Sequence, residues 1–364
     1  MANDHGDMIA WPLPVDPAPD FGDGSDGELV VVGAMEVQSG HNHPLQYTNV
    51  TVRRGGVLTV PAWDGNAGGV LRLHATGTVT IEEGGMIDVS GKGFRGGVDL
   101  TDPDDCFDNA PVEAHGESWT QRHGGGGGGG GIASNNYGSA GGGGGGNGTA
   151  GENAQPNTCC NGNRPGGVGG LESPGGPELA AGLVMGAGGG AGKLYANDEN
   201  PRTCHGGSGG GAVHIVAANI VLHGEIRANG ADGGRGTARY ASGGGGGSGG
   251  TVLLQALELV VRGGTVTCRG GAGGAHGPDG GHQGICSQGG QGGAGRVRID
   301  ADKVDGDMAL VPDSCTQHRQ NAPASLCPGS YPPLFLVRLL LLAVRTSHPH
   351  TLHGLLLRPL SCAY

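Results

Sequence analysis

Asp20, Asp23 and Asp26, with Glu28 just beyond them, come nearest to a metal site in type and spacing. Closely spaced carboxylates could supply the oxygen ligands that calcium takes. The spacing is not that of an EF-hand, and a Gly-Asp turn ahead of a strand explains the same residues. They stand as weak calcium candidates. Asp102, Asp104, Asp105 and Asp108 form a second acidic run, either a calcium-attracting cluster or a solvated loop. Cys268, His276, His282 and Cys286 lie close in sequence, and Cys204 precedes His205, but the spacing fits no zinc module. His41-Asn42-His43 reads as a turn. Acid–base chemistry would need carboxylates brought together. Asp88, Glu225 and Glu258 occur singly, at non-equivalent places. The run from Gly186 to Leu194 fails as a phosphate-binding loop: Ala187 stands where a leading Gly is needed, and Leu194 where Ser or Thr would meet magnesium. No Gly-x-Ser-x-Gly elbow occurs, and no Cys/His pair has a supporting third group. The expectation is a chain with no catalytic residue and no cofactor. Asn49-Val50-Thr51 and Asn147-Gly148-Thr149 fit the N-glycosylation pattern, which carries meaning only in a secreted chain.

Short β-branched runs, closed by Gly, Pro or Asn, would have to position any site. Glu28–Val32, Thr48–Val52 and Val57–Val60 have the alternation of strands. A repeat follows. Gly69-Val70-Leu71-Arg72-Leu73-His74-Ala75 leads to Thr78–Ile81 and then Gly85–Gly91. The same order returns from Gly211 through Ile220 to Gly230, again from Gly250 through Leu259 to Cys268, and begins once more at Gly295. Strands this short cannot hold a core alone. Stacked in register, each unit would cap the next. The predicted architecture is therefore all-β: a parallel β-solenoid, a right-handed β-helix of three-stranded units with long Gly-rich, partly polyproline-II-like loops. The predicted divisions are an acidic Pro-containing lead (1–27), the solenoid (28–310) with a long excursion at 97–210, and a tail (311–364). The excursion, with Gly124–Gly131 and Gly141–Gly146, reads either as a disordered linker or as extended chains laid side by side, which Gly alone permits. From Ser314 to Tyr364 there is no Asp or Glu, in a chain carrying 33 of them; that segment reads as foreign to the fold and disordered. Its apolar stretch, Leu334–Val344, contains Arg338 and falls short of the ~20 residues a bilayer requires, so no transmembrane span is expected.

Composition narrows the classes further. Of 364 residues 84 are Gly and 21 Pro, against roughly 7% and 5% in average proteins. Aromatics make up only 4%, too few for a conventional aromatic core, and so much Gly opposes a mostly helical protein. The glycines run in blocks, not every third residue, which excludes collagen. A net charge of −12 with no basic cluster makes nucleic acid and anionic membrane poor partners. The compartment stays open. The first residues lack the pattern of a signal peptide. Yet Cys106, Cys159, Cys160, Cys204, Cys268 and Cys286 sit in or beside loops that disulfides could staple. An extracellular or cell-surface location suits an incomplete start, a cytoplasmic one a complete start.

Phe21–Gly27, Ile87–Gly97 and Gly206–Gly211 resemble glycine-rich β-helix proteins of bacterial surfaces, phage appendages and invertebrates, over roughly residues 21–310. The resemblance implies a stacked β-helix with polyglycine excursions and carries over no catalytic residue. The expected function is that of a structural or adhesive module meeting an unidentified protein or glycan surface. The alternatives are a weakly calcium-binding, acidic matrix or mineral-associated protein, and a β-helical polysaccharide hydrolase or lyase.

Overall fold

The computed structural model describes residues 19–39, 43–98, 114–119, 127–130, 133–134, 138–157, 165–174, 176, 179, 182–193, 204–236, 241–277, 286–307, 309–311 and 316–320. The chain divides into compact units of 1–321 and 322–364, and every described residue lies in the first. No α-helix occurs among the described residues. The larger sheet contains β1 (Glu28–Val31), β4 (Asn49–Val52), β6 (Val70–Ile81), β10 (Ala212–Leu222), β12 (Thr251–Val261), β14 (Arg296–Asp305) and β16 (Thr316–Gln320), with β3 (Leu45–Tyr47) also on β6. The smaller sheet runs β2 (Ala34–Glu36), β5 (Val57–Thr59), β7 (Met86–Asp88), β11 (Glu225–Arg227), β13 (Thr265–Thr267) and β15 (Ala309–Val311). All of these pairings are parallel. A small antiparallel pair, β8 (Ala133–Ser134) with β9 (Gly138–Ser139), stands apart.

This arrangement corrects the predicted solenoid of three-stranded coils, and with it the stacked β-helix that the resemblance implied. The first two runs of each repeat are one strand, so there are two sheets of unequal strand length, layered with strands in chain order. The break expected at Thr76-Gly77 is a bulge. Opposite Ala218 alone, β6 places both Thr76 and Gly77, and pairing resumes at Thr78 with Asn219. One extra residue bends a strand without ending it. Strand pairing also extends to Gln320, past the boundary at 310 read from the sequence.

Alternation decides which side chains meet. Leu71, Leu73 and Ala75 of β6 fall in register with Val213, Ile215 and Ala217 of β10, and these with Val252, Leu254 and Ala256 of β12. All are buried between the sheets, facing the central residues Leu58, Ile87, Ile226 and Val266 of the short strands. The opposite face of the larger sheet is covered as well. Val70, Ala212 and Leu253 pack with Trp63, Phe94, Leu179, Leu183, Val184 and Met185, and the Trp63 and Phe94 rings meet edge to face at 5.9 Å.

Glycine-rich chain that runs into these strands follows a regular hydrogen-bond rule. Gly243, Gly246 and Gly249 donate to the carbonyls of Ser287, Gly290 and Gly293. Gly244, Gly247 and Gly250 donate to Gly234, Ala231 and Ala228, while Gly245 and Ser248 donate to Gly190 and Ala187. The donors thus rotate among three neighbours with a period of three residues, the turn of a polyproline-II helix. Partner numbers rise along the first neighbour and fall along the other two, so one runs parallel and two antiparallel. At Gly245 a Cβ would collide with the Gly143 carbonyl, and at Gly190 with that of Gly129. Only Gly allows chains this close.

Candidate functional site

A polar row lies on the covered face of the larger sheet. Odd positions of β6 face the inter-sheet core, so Arg72 and His74 face the other way, as do His214 of β10, Gln255 of β12, and Arg298 and Asp300 of β14. Parallel register stacks Arg72, His214, Leu253 and Arg298 in one rung position, and His74, Val216, Gln255 and Asp300 in the next. Exposure is 7% at His74, 3% at His214 and 2% at Gln255, so water is largely excluded from the row.

The hydrogen bonds fix protonation step by step. Arg298 donates through Nε to Asp300 Oδ1 at 2.9 Å and pairs through Nη2 with Oδ2 at 2.8 Å. The carboxylate only accepts, so it orients Gln255, whose Nε2 donates to Asp300 Oδ2 at 3.2 Å. Gln255 Oε1 then faces His214 Nε2 at 2.8 Å and must accept its proton. His214 is thereby held as the Nε2–H tautomer, with a lone pair on Nδ1 that meets no hydrogen-bond partner. His74 stands edge to face with it, ring centroids 6.0 Å apart, and neither of its ring nitrogens is hydrogen-bonded. Burial pushes the His214 pKa down from 6.5 to about 4, and the Arg72 charge acts in the same direction, against the hydrogen bond to Gln255. His74 is also lowered, by burial first and Arg72 second, with Asp20 opposing. At neutral pH the row therefore holds neutral imidazoles beside guanidinium groups.

Comparison with protein-family models, curated proteins and solved structures finds no match. Geometry alone carries the reading of this site.

The residues singled out from the sequence fall elsewhere. Asp20 Oδ1 accepts the Gly22 amide at 3.0 Å, Asp23 Oδ1 that of Ser25 at 2.9 Å, and Asp26 Oδ2 that of Gln46 at 2.7 Å. Hydrogen bonds from the Ser25 side chain and amide hold the Asp23 pKa below the ordinary value. Each carboxylate braces a different stretch of backbone. Among the described residues no three His, Cys, Asp or Glu side chains converge as a metal cluster. Asp88 Oδ1 accepts the Ser90 amide, Glu225 pairs with Arg227, and Glu258 pairs with Lys303 at 2.5 Å, on separate strands. Gly186 and Gly189, in the rejected phosphate-loop run, donate to the carbonyls of Gly210 and Gly207. Cys204 and Cys286 are buried, and Cys268 is disulfide-bonded. The rings of His205 and His276 lie against the adjacent carbonyls of Gly206 and Gly277. Asp102, Asp104, Asp105, Asp108, Cys106, Cys159, Cys160, His41 and His282 lie outside the described residues, as does Leu334–Val344. Among the described residues no helix is long and apolar enough to cross a membrane.

Sequence reasoning passed over the polar row. Its signal is present: aligning the repeats on Leu71, Val213, Val252 and Val297 places Arg72, His214, Leu253 and Arg298 in one column. A strand polar on alternate positions ordinarily turns that face to water. Here that face is closed off, with His74, His214 and Gln255 all buried.

Proposed function

We propose that the protein is a non-enzymatic structural or adhesive module that meets a protein or glycan surface through flat faces poor in side chains. The three-residue rotation of amide donors through the glycine layer carries this reading. Chain ordered in this way holds its shape before a partner arrives. Gly has no rotamers to freeze, and immobilising a flexible side chain on binding costs about 0.5–1.5 kcal/mol. A pre-ordered glycine face therefore loses little entropy on contact. Set into this glycine surface is a shallow groove of about 400 Å³ lined by His115, the glycines at 127, 129, 130, 166, 167 and 169, Pro165, Val168 and Leu171. Val168 and Leu171 are 66% and 64% exposed there, giving an otherwise backbone surface apolar contact area.

Immobilised full-length chain should retain members of a panel of glycans, matrix proteins and whole cells, and Val168→Ser with Leu171→Ser should weaken that retention several-fold. No association with any member of the panel would count against the proposal.

A further inference from the structure

The two N-glycosylation sequences end in opposite surroundings. Asn147 is fully buried, and its Nδ2 donates to the Gly249 carbonyl at 2.8 Å and to Thr251 Oγ1 at 3.3 Å, which occupies both hydrogens. Beside it, even a Cβ on Gly148 would collide with the Gly295 carbonyl. Asn49, at the start of β4, is exposed. Its Oδ1 accepts the Thr78 amide at 2.8 Å. A backbone N–H only donates, so that bond fixes the amide oxygen inward and leaves Nδ2 turned away. Val50 is buried and Thr51 half-buried, so the strand anchors the sequence while its first side chain stays outside.

We infer that Asn49 is an N-glycan acceptor and that Asn147, in the folded chain, is not. The co-reactant is an oligosaccharide carried on a polyisoprenyl diphosphate. Asn49 Nδ2 attacks the anomeric carbon, and the carbon–nitrogen bond forms as the bond from that carbon to the diphosphate oxygen breaks. The electron pair leaves with the lipid diphosphate, and the amide proton passes to a carboxylate of the transferase. No electrons change hands between redox centres. Asn49 keeps one Nδ2–H and its Oδ1 bond to Thr78, so the glycan and the fold are compatible. At Asn147 the same step would consume a buried hydrogen bond and drive a sugar between glycine chains that leave no room for a methyl group. The disulfide at Cys268 suits the oxidising compartments of secretion, where this transfer takes place.

The test uses the full chain behind an added cleavable secretion signal in eukaryotic cells, as wild type, Thr51→Ala and Thr149→Ala. Glycan sites are mapped on secreted and cell-retained protein alike by enzymatic deglycosylation in heavy-oxygen water. The expected result is a single occupied site at Asn49, abolished by Thr51→Ala and unchanged by Thr149→Ala. Asn49→Gln supplies the same loss should Thr51→Ala fold poorly. Wild-type protein with no glycan, or with its glycan on Asn147 in the secreted fraction, would overturn the inference.

Discussion

Asp300 is the residue on which the polar row turns, because its two oxygens orient both Gln255 and Arg298. Asp300→Ala would take an acceptor from the half-buried Arg298 guanidinium and from the buried Gln255 amide, a loss of about 1–3 kcal/mol. Asp300→Asn, which keeps the shape and one acceptor, should lose less; urea midpoints of the two variants check the order. His214 adds a pH dependence whose sign is fixed by burial. Its folded pKa, about 4, lies below the ordinary 6.5, so the unfolded chain binds the proton more readily. Its contribution is therefore complete above pH 6.5 and is lost as pH falls toward 4, by up to ~3 kcal/mol at ~1.4 kcal/mol per unit. Thermal unfolding at pH 7 and pH 4.5 should show a larger drop for the wild type than for His214→Gln. Equal drops would remove His214 from the explanation. Asp20, Asp23 and Asp26 were legible as a turn. The histidines were not, because a repeat read for its apolar residues says nothing about what covers the other face.

At the scale of elements, the Val, Leu and Ile of the repeats reveal the strands and even their neighbours: Val213, Val252 and Val297 stand side by side in β10, β12 and β14. What sequence could not show is where a strand ends. Gly77 looks like punctuation, yet parallel neighbours on β6 hold the chain extended through a bulge. Two sheets result where three runs per unit were expected. Glycine is likewise ambiguous from sequence alone, since the same residue serves a flexible linker and a close-packed chain. The structure separates the two uses at single positions. Gly245→Ala should cost about 1–3 kcal/mol, because its Cβ meets a backbone carbonyl that cannot swing aside. Gly33→Ala has nothing within 4 Å and no left-handed φ, and should be neutral or stabilising by about 0.4–1 kcal/mol through the unfolded chain. Urea unfolding of both variants checks the contrast; equal effects would mean that the glycine segments are not packed chain.

Taken as a whole, the 1–321 unit joins two kinds of cohesion. Between the sheets, apolar side chains exclude water; in the glycine-rich chain that runs into the strands, backbone amides bond to backbone carbonyls with almost no side chains between them. Neither part is self-sufficient. Short parallel strands need a covered second face, and glycine chain, which loses the most conformational freedom on ordering, needs a fixed surface to settle on. The polar row ties β10, β12 and β14 together on the second face through the hydrogen bonds from Arg298 to His214. Native-state hydrogen exchange, resolved to single amides, tests this joint cohesion most directly. The amides of Gly243 to Gly250 should be protected to within about tenfold of those in β12, opening together with the sheet. Glycine amides exchanging at the rate of unstructured chain while β12 stays protected would contradict it.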